Sequence, residues 1–317
     1  MDSGSDQPGS TPASATVRTA PAPPAPGTLD RWLLPTALAL TVAWGFNFVV
    51  IKVGIDGVPP LLLAALRFVL VAVPAVFFVR RPAAPPAWVA AYGLFLGVGE
   101  FGLLFTAIKL GAPVGVSSLV LQSQAFFTAL LAAWFLGEPF RRRSVVGMLI
   151  AGAGLALLGL GKNLSGWGDH AAAAFIMLVL AALMWAVANV IARRLGDIGA
   201  LSLIVWSSLA APLPLFVLSL IFEGRAAIAQ SLRTLSWLSV GALAYLVVLS
   251  TLIGYSVWNH LIVKHGAGRV APFSMLVPIF GVSSGAIFLH ERFTSQHVLA
   301  ALLVLVGLAI HATRAKG

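Results

Sequence analysis

The chain has 317 residues, of which 59% are hydrophobic and only 9% charged, with a net charge of +10 and no cysteine. So few charged side chains cannot coat a water-soluble globule of this size, which excludes a soluble enzyme, a transcription factor and a coiled-coil rod. The mean hydropathy of +0.97 also excludes an outer-membrane barrel, whose strands alternate apolar and polar residues, and the absence of cysteine excludes a disulfide framework or a thiolate metal site.

What remains is an all-α polytopic membrane protein. Residues 1–30 are rich in Pro, Ser, Ala, Thr and Gly, too poor in apolar surface to offset the entropy of ordering, and read as a disordered tail. No apolar h-region precedes Trp32, so the tail is not a secretory signal. Ten apolar segments follow, at 33–52, 60–79, 87–108, 113–136, 144–161, 172–192, 200–221, 236–258, 270–289 and 297–312. Each approaches the length of about 20 residues that a spanning helix needs; the fifth and tenth are short. The breaks carry turn and charge chemistry, such as Asp56-Gly57 before Pro59-Pro60, Arg80-Arg81-Pro82, and Glu138 to Arg143.

Thirteen of the 20 Lys and Arg residues fall on the side of the tail, six on the other side, and Arg67 lies inside a segment. Basic loops mark the cytoplasmic face, so both termini are expected inside. The net charge is then mostly a topology signal rather than a nucleic-acid patch, although the Arg141-Arg142-Arg143 run could also touch anionic lipid heads.

An internal repeat is visible. Ser118 to Leu158 resembles Ala271 to Ala312 at a shift of 153 residues, aligning Glu138 with Glu291 and Gly154 with Gly307, and Trp44-x-x-Asn47 echoes Trp185-x-x-x-Asn189. The halves are a first five-helix repeat, 31–161, and a second, 162–317. Five is odd, so the second half enters the membrane from the opposite side. Inverted repeats of this kind are a recurring plan for secondary transporters, whose halves rock about a site near the midplane.

The stretch from Ala43 through Trp44, Asn47 and Lys52, then Pro59-Pro60 and Leu66-Arg67-Phe68, resembles the first half of EamA-type carriers of the drug/metabolite transporter superfamily. Glu138 and Glu291, each followed by a small-residue helix, fit that family's repeat. Within it, Asn47 to Gly54, Leu66 to Phe78, Ser118 to Phe127, Val205 to Ser207, Gly254-Tyr255-x-x-Trp258 and Arg269 to Pro278 resemble the bacterial inner-membrane exporters of O-acetylserine and cysteine. The resemblance implies a multi-pass carrier of the bacterial inner membrane that exports small amino-acid metabolites. Glu100 departs from it, standing where an uncharged amide is expected.

Ionisable groups inside a span are costly and mark function. Arg67 in the second segment and Glu100 in the third come out at about 10–12 Å from the same face at 1.5 Å per residue. The expectation is that they face one cavity and pair directly or through water, with Arg67 for a substrate carboxylate and Glu100 for its amine or a coupling proton; the alternative is a structural ion pair. Asn47, Gln122, Trp44, Asn189, Trp185, Trp206, Tyr255 and Trp258 complete the candidate substrate-binding set, because a small zwitterion wants amides, hydroxyls and aromatic walls. Interhelical hydrogen bonding is the plainer role of the amides, and interfacial anchoring that of Tyr255 and Trp258. Gly93-x-x-x-Gly97 and Gly147-x-x-x-Ala151 are small-residue faces for packing within the chain, or for a homodimer. Pro74, Pro272 and Pro278 are expected kinks.

No spaced His and carboxylate cluster and no phosphate-binding Gly-rich loop occurs, so neither a metal nor ATP and no other cofactor is expected; a substrate, proton or potential gradient must drive transport. A broad exporter of drugs or lipophilic amines is the alternative within the same fold. An intramembrane enzyme would need a nucleophile with a base at depth, and a receptor usually has an odd span count with its tail outside; neither pattern is present.

Overall fold

Ten helical units occupy the ten apolar segments in a computed structural model of the protein, which describes residues 32–139, 142–160, 164 and 167–312. The tail of residues 1–30 and Arg141 lie outside the described residues. The first five units are α1 (Leu33–Gly57), α2 (Pro60–Ala75), α3 (Pro86–Lys109), α4 (Val114–Leu136) and α5 (Arg142–Gly159). The second five are α6 (Ala171–Leu195), α7 (Ala200–Ser207 and Pro212–Phe222), α8 (Trp237–His265), α9 (Pro272–Phe288) and α10 (Ser295–Ala312). A short polar helix, Arg225–Arg233, joins α7 to α8. Seven of these helices are long and apolar enough to cross a membrane, and α7, bent by 44° at its break, makes an eighth; α2 and α9 are apolar but shorter.

Three boundaries differ from expectation for identifiable reasons. α1 runs to Gly57 instead of residue 52, its last turn spanned by the Lys52–Asp56 ion pair at 2.9 Å, and it stops because Val58 precedes Pro59 and is held extended. α2 ends at Ala75, four residues early, just after Pro74, which cannot donate a helical hydrogen bond. α8 continues to His265 and ends at Gly266, whose φ of 83° reverses the chain at no steric cost.

The two repeats interlock. α1 packs against α8 and α9 of the second repeat, and α6 packs against α3 and α4 of the first. α2 lies against α7, and α5 against α10. Glycines set the closest approaches: a Cβ at Gly45 would lie 2.3 Å from that of Phe280, one at Gly93 would lie 2.0 Å from the Ser207 carbonyl oxygen, and one at Gly147 2.5 Å from the Gly307 carbonyl oxygen. The two small-residue faces read from the sequence are therefore used inside the chain, against α7 and α10.

The duplication is plainer in backbone geometry than in residue identity. A nine-residue π-helical stretch interrupts α3 at Leu94–Gly102 and α8 at Tyr245–Ile253, 151 residues later. α4 and α9 end alike: Gly137 (φ 67°) and His290 (φ 54°) both take the left-handed conformation, and the next amide, of Glu138 or Glu291, donates to the carbonyl six residues back, at 3.3 and 3.1 Å. α4 is broken at Gln122–Ser123, and a 3-10 turn, Ala271–Leu276, stands before the α-helical part of α9, Val277–Phe288, at the corresponding place. Pro272 and Pro278 each stand in the first turn of their helical pieces, where the missing N–H costs nothing.

One feature breaks the symmetry. Glu291 accepts the Val114 and Gly115 amides at 2.6 and 3.0 Å, and Glu223 accepts those of Leu61 and Leu62 at 2.6 and 3.3 Å. These carboxylates of the second repeat satisfy the orphan donors at the starts of α4 and α2 and lie at the positive ends of both helices. Glu138, the repeat counterpart of Glu291, instead pairs with Arg193 at 2.8 Å.

Two outcomes follow from this packing. Gly307→Leu should destabilise the detergent-solubilised protein by about 2 kcal/mol through overpacking, whereas Gly152→Leu, with open space at its Cβ, should not; thermal melts compare them. Burial pushes the Glu291 carboxyl above the usual carboxylate range, against the two amides that lower it. Its contribution to stability is thus full below the ordinary carboxylate value and declines as pH rises through the raised one. Melting temperature against pH should show that decline in the parent and a flatter line in Glu291→Gln.

Candidate functional site

Both π-helical stretches pack against α2. Glu100 sits within the α3 stretch, and Thr251 holds the seventh place of the α8 stretch as Glu100 does in its own. A π-turn shifts the side chains after it relative to a regular α-helix, and such turns are frequent at functional sites. Met184 of α6 closes on Gly99, where a Cβ would come within 2.7 Å, so the bulge beside Glu100 is tightly backed.

Arg67 on α2 is 2% exposed and Glu100 3%. The sequence placed them at one depth, and they lie close enough to interact electrostatically, together with Tyr92 and Tyr255. They do not form the direct ion pair that was one of the expected outcomes: among the described residues the ion pairs are Lys52–Asp56 and Arg193–Glu138. The reason is local. The Arg67 guanidinium lies over the Phe101 ring, 4.0 Å from its centroid, and Nη2 donates to Thr251 Oγ1 at 3.0 Å. Nε and Nη1 of Arg67, Oε2 of Glu100 and Oδ1 of Asn47 are buried without a hydrogen-bond partner. Buried polar atoms are paired as a rule, so the orphan atoms of Arg67 and Glu100 ask for an explanation, and a ligand is one.

The other candidates divide into two groups. Trp44, Tyr255 and Trp258 form one aromatic cluster, with Trp44 centred 6.1 Å from Tyr255 and 5.2 Å from Trp258; the indole Nε1 of Trp44 donates to the Ser250 carbonyl at 3.0 Å. These residues join α1 to α8. Gln122 ties the break in α4 to the 3-10 turn before α9, donating to the Ser274 carbonyl at 3.4 Å. The rest hold helices together. Asn189 donates to Gln124 Oε1 at 2.8 Å and to Thr128 Oγ1 at 3.3 Å, fastening α6 to α4, and Trp185 packs one turn away against the main core. Trp206 donates to the Val79 carbonyl at 3.0 Å and lines a separate hollow of about 420 Å³ with Arg81, Pro82 and Val89.

Sequence reasoning missed Thr251 and Phe101. Neither residue type stands out in an apolar segment; the repeat register of the two π-helical stretches is the signal that would have found Thr251. No group of three or more potential metal ligands occurs among the described residues.

Interlocked five-helix repeats around buried polar groups are a recurring plan of membrane carriers. The sequence model of the EamA-like transporter family matches residues 31–160 and again 172–313, and the chain belongs to that family. A protein of Salmonella typhimurium named "Probable amino-acid metabolite efflux pump" is 43% identical over 280 residues, 87% of this chain and 93% of its own length. A protein of Escherichia coli with the same name is 42% identical over the same shares. An uncharacterised transporter of Bacillus subtilis is 26% identical across 86% of this chain and 93% of its own. A solved crystal structure matches with a TM-score of 0.58 at 20% identity, covering 90% of this chain and 98% of that one, and shares the fold.

If Asn189 fastens helices rather than binding substrate, Asn189→Leu should lower stability by about 0.6–2 kcal/mol and leave the KM of transport unchanged. Thermal melts and reconstituted uptake measure the two separately.

Proposed function

We propose that the protein exports small amino-acid metabolites, of the O-acetylserine and cysteine class, by alternating access across the bacterial inner membrane, with both termini in the cytoplasm. The observation that carries this reading is the pair of ionisable groups held inside the bundle without direct contact, with Arg67 Nε and Nη1 and Glu100 Oε2 lacking partners. A zwitterionic amino acid presents a carboxylate and an ammonium on one carbon, and can engage Arg67 with the first and Glu100 with the second. Burying polar groups unpaired is expensive, so ligand binding relieves a cost already present in the empty carrier. Two relatives that share over 40% of their residues across nearly their whole length and are named for amino-acid metabolite efflux support the substrate class. The excess of Lys and Arg on the side of the termini supports the orientation.

Alternating access follows from the repeat. The site lies where α2 and α3 of one repeat meet α8 of the other, so rocking the repeats changes which face it opens to. Between cycles Glu100 is free to carry a proton, which makes it the candidate for coupling. A second reading, export of organic cations, draws on the Trp44, Tyr255 and Trp258 cluster, since an acid beside aromatic faces suits a cation.

Proteoliposome uptake of labelled cysteine, with and without a proton gradient, tests both readings. Arg67→Gln and Glu100→Gln should each cut transport about tenfold or more, as loss of one charge-assisted contact implies. Full cysteine transport by both variants would overturn the site. Uptake of a lipophilic amine that survives Arg67→Gln but not Glu100→Gln would favour the second reading.

A further inference from the structure

Thr251 has no role in the reading above, yet among the described residues it is the one group that holds the Arg67 guanidinium by a hydrogen bond. Its hydroxyl is 1% exposed with the rest of the residue and is already committed: Oγ1 donates its hydrogen to the Leu246 carbonyl at 2.8 Å, five residues back along the π-helical stretch. Only lone pairs remain toward Arg67, so the hydroxyl is a fixed acceptor and not a rotor. The π-turn sets this direction. In a regular α-helix a threonine hydroxyl bonds the carbonyl three or four residues back, and here the offset of five turns Oγ1 across to α2.

A guanidinium is planar and carries five N–H donors in a fork. Phe101 covers one face of the Arg67 fork and Thr251 takes one hydrogen of Nη2. A face and an edge together fix the orientation of a plane. Whichever Nη2 hydrogen Thr251 receives, the other lies parallel to an N–H of Nη1 or of Nε, and neither of those nitrogens has a partner. One edge with two parallel donors therefore stays complete. That is the shape that binds a carboxylate through both oxygens.

We infer that Thr251, with Phe101, is a positioning residue that aims a complete two-donor edge of Arg67 at the substrate, and that the carrier selects cargo bearing a free carboxylate. The inference rests on the reading of Arg67 as the carboxylate site. It also accounts for the unequal repeats. Glu100 and Thr251 hold equivalent places in the two π-helical stretches; one supplies a charge and the other a neutral acceptor. A second carboxylate at Thr251 would sit on Arg67 and compete with the cargo for it.

The test is uptake of labelled cysteine into proteoliposomes, with unlabelled cysteine and cysteamine, which lacks the carboxylate, as competitors. Thr251→Val keeps the side-chain shape and removes the hydroxyl. It should raise the KM for cysteine about tenfold, the effect of losing one hydrogen bond to a charged group, with Vmax retained and the inhibition by cysteamine unmoved. Thr251→Ser should return KM to about twofold of the parent, since the acceptor is restored. Unchanged KM in Thr251→Val, or an equal loss of cysteine and cysteamine, would overturn the inference. Arg67→Gln run alongside separates the two levels: a KM unaffected by Arg67→Gln removes the carboxylate site itself, whereas a raised KM there with a normal one in Thr251→Val removes only the role of Thr251. Should Thr251→Val not fold, Phe101→Leu reports the same constraint from the other side, and a KM for cysteine that does not rise in it counts against the inference equally.

Discussion

The structure depends on a positive charge enclosed without a negative one in contact. Arg67 is almost wholly buried and its guanidinium rests between an aromatic face and a threonine oxygen, with Glu100 nearby but not bonded to it. In a dry interior an unpaired charge costs several kcal/mol, so the surrounding helices must be packed well enough to impose it. The interlocking of the repeats provides that packing. α1 and α6 each lie in the opposite half, glycines bring backbones into contact, and the two halves cannot be separated without exposing both cores.

The same interlocking lets helices break at depth. Backbone donors and acceptors have no water to turn to inside a bilayer, so irregular backbone persists only where protein encloses it. The interruption at Gln122–Ser123, the 3-10 turn before α9 and the bend in α7 all lie against other helices, and Gln122 bonds directly from one break to another. The starts of α2 and α4 are closed by Glu223 and Glu291 reaching across from the second repeat, while Glu138 is occupied by Arg193. Two halves of one plan thus hold different sets of contacts on their two faces, which is the condition a rocking carrier needs.

Much of the architecture was legible in the chain because the bilayer is a demanding solvent. Ten apolar segments, the stop chemistry between them, the shift of 153 residues and the pairing of Glu138 with Glu291 could all be read without coordinates, since each reflects a requirement met locally. Arg67 and Glu100 were legible for the same reason: few charges enter such segments without cause. Asn189 and Trp206 were less well served by pattern. An amide or indole in a span looks alike whatever it bonds, and only the fold supplies the partners, Gln124 and the Val79 carbonyl. The two π-helical stretches left no mark in composition, because a single extra residue in a turn changes hydrophobic periodicity too little to be seen.

By itself the sequence determined that this is a membrane protein built of two related helical halves, with one arginine and one glutamate at a common depth. Hydrophobicity, charge placement and repetition are properties of the chain, and the membrane translates them directly into spans. Only the tertiary structure decided how those two charges stand to each other. Their separation is governed by Phe101 on the neighbouring helix and by Thr251 from the far repeat, 184 residues away along the chain, and no local rule relates groups brought together by the packing of two repeats.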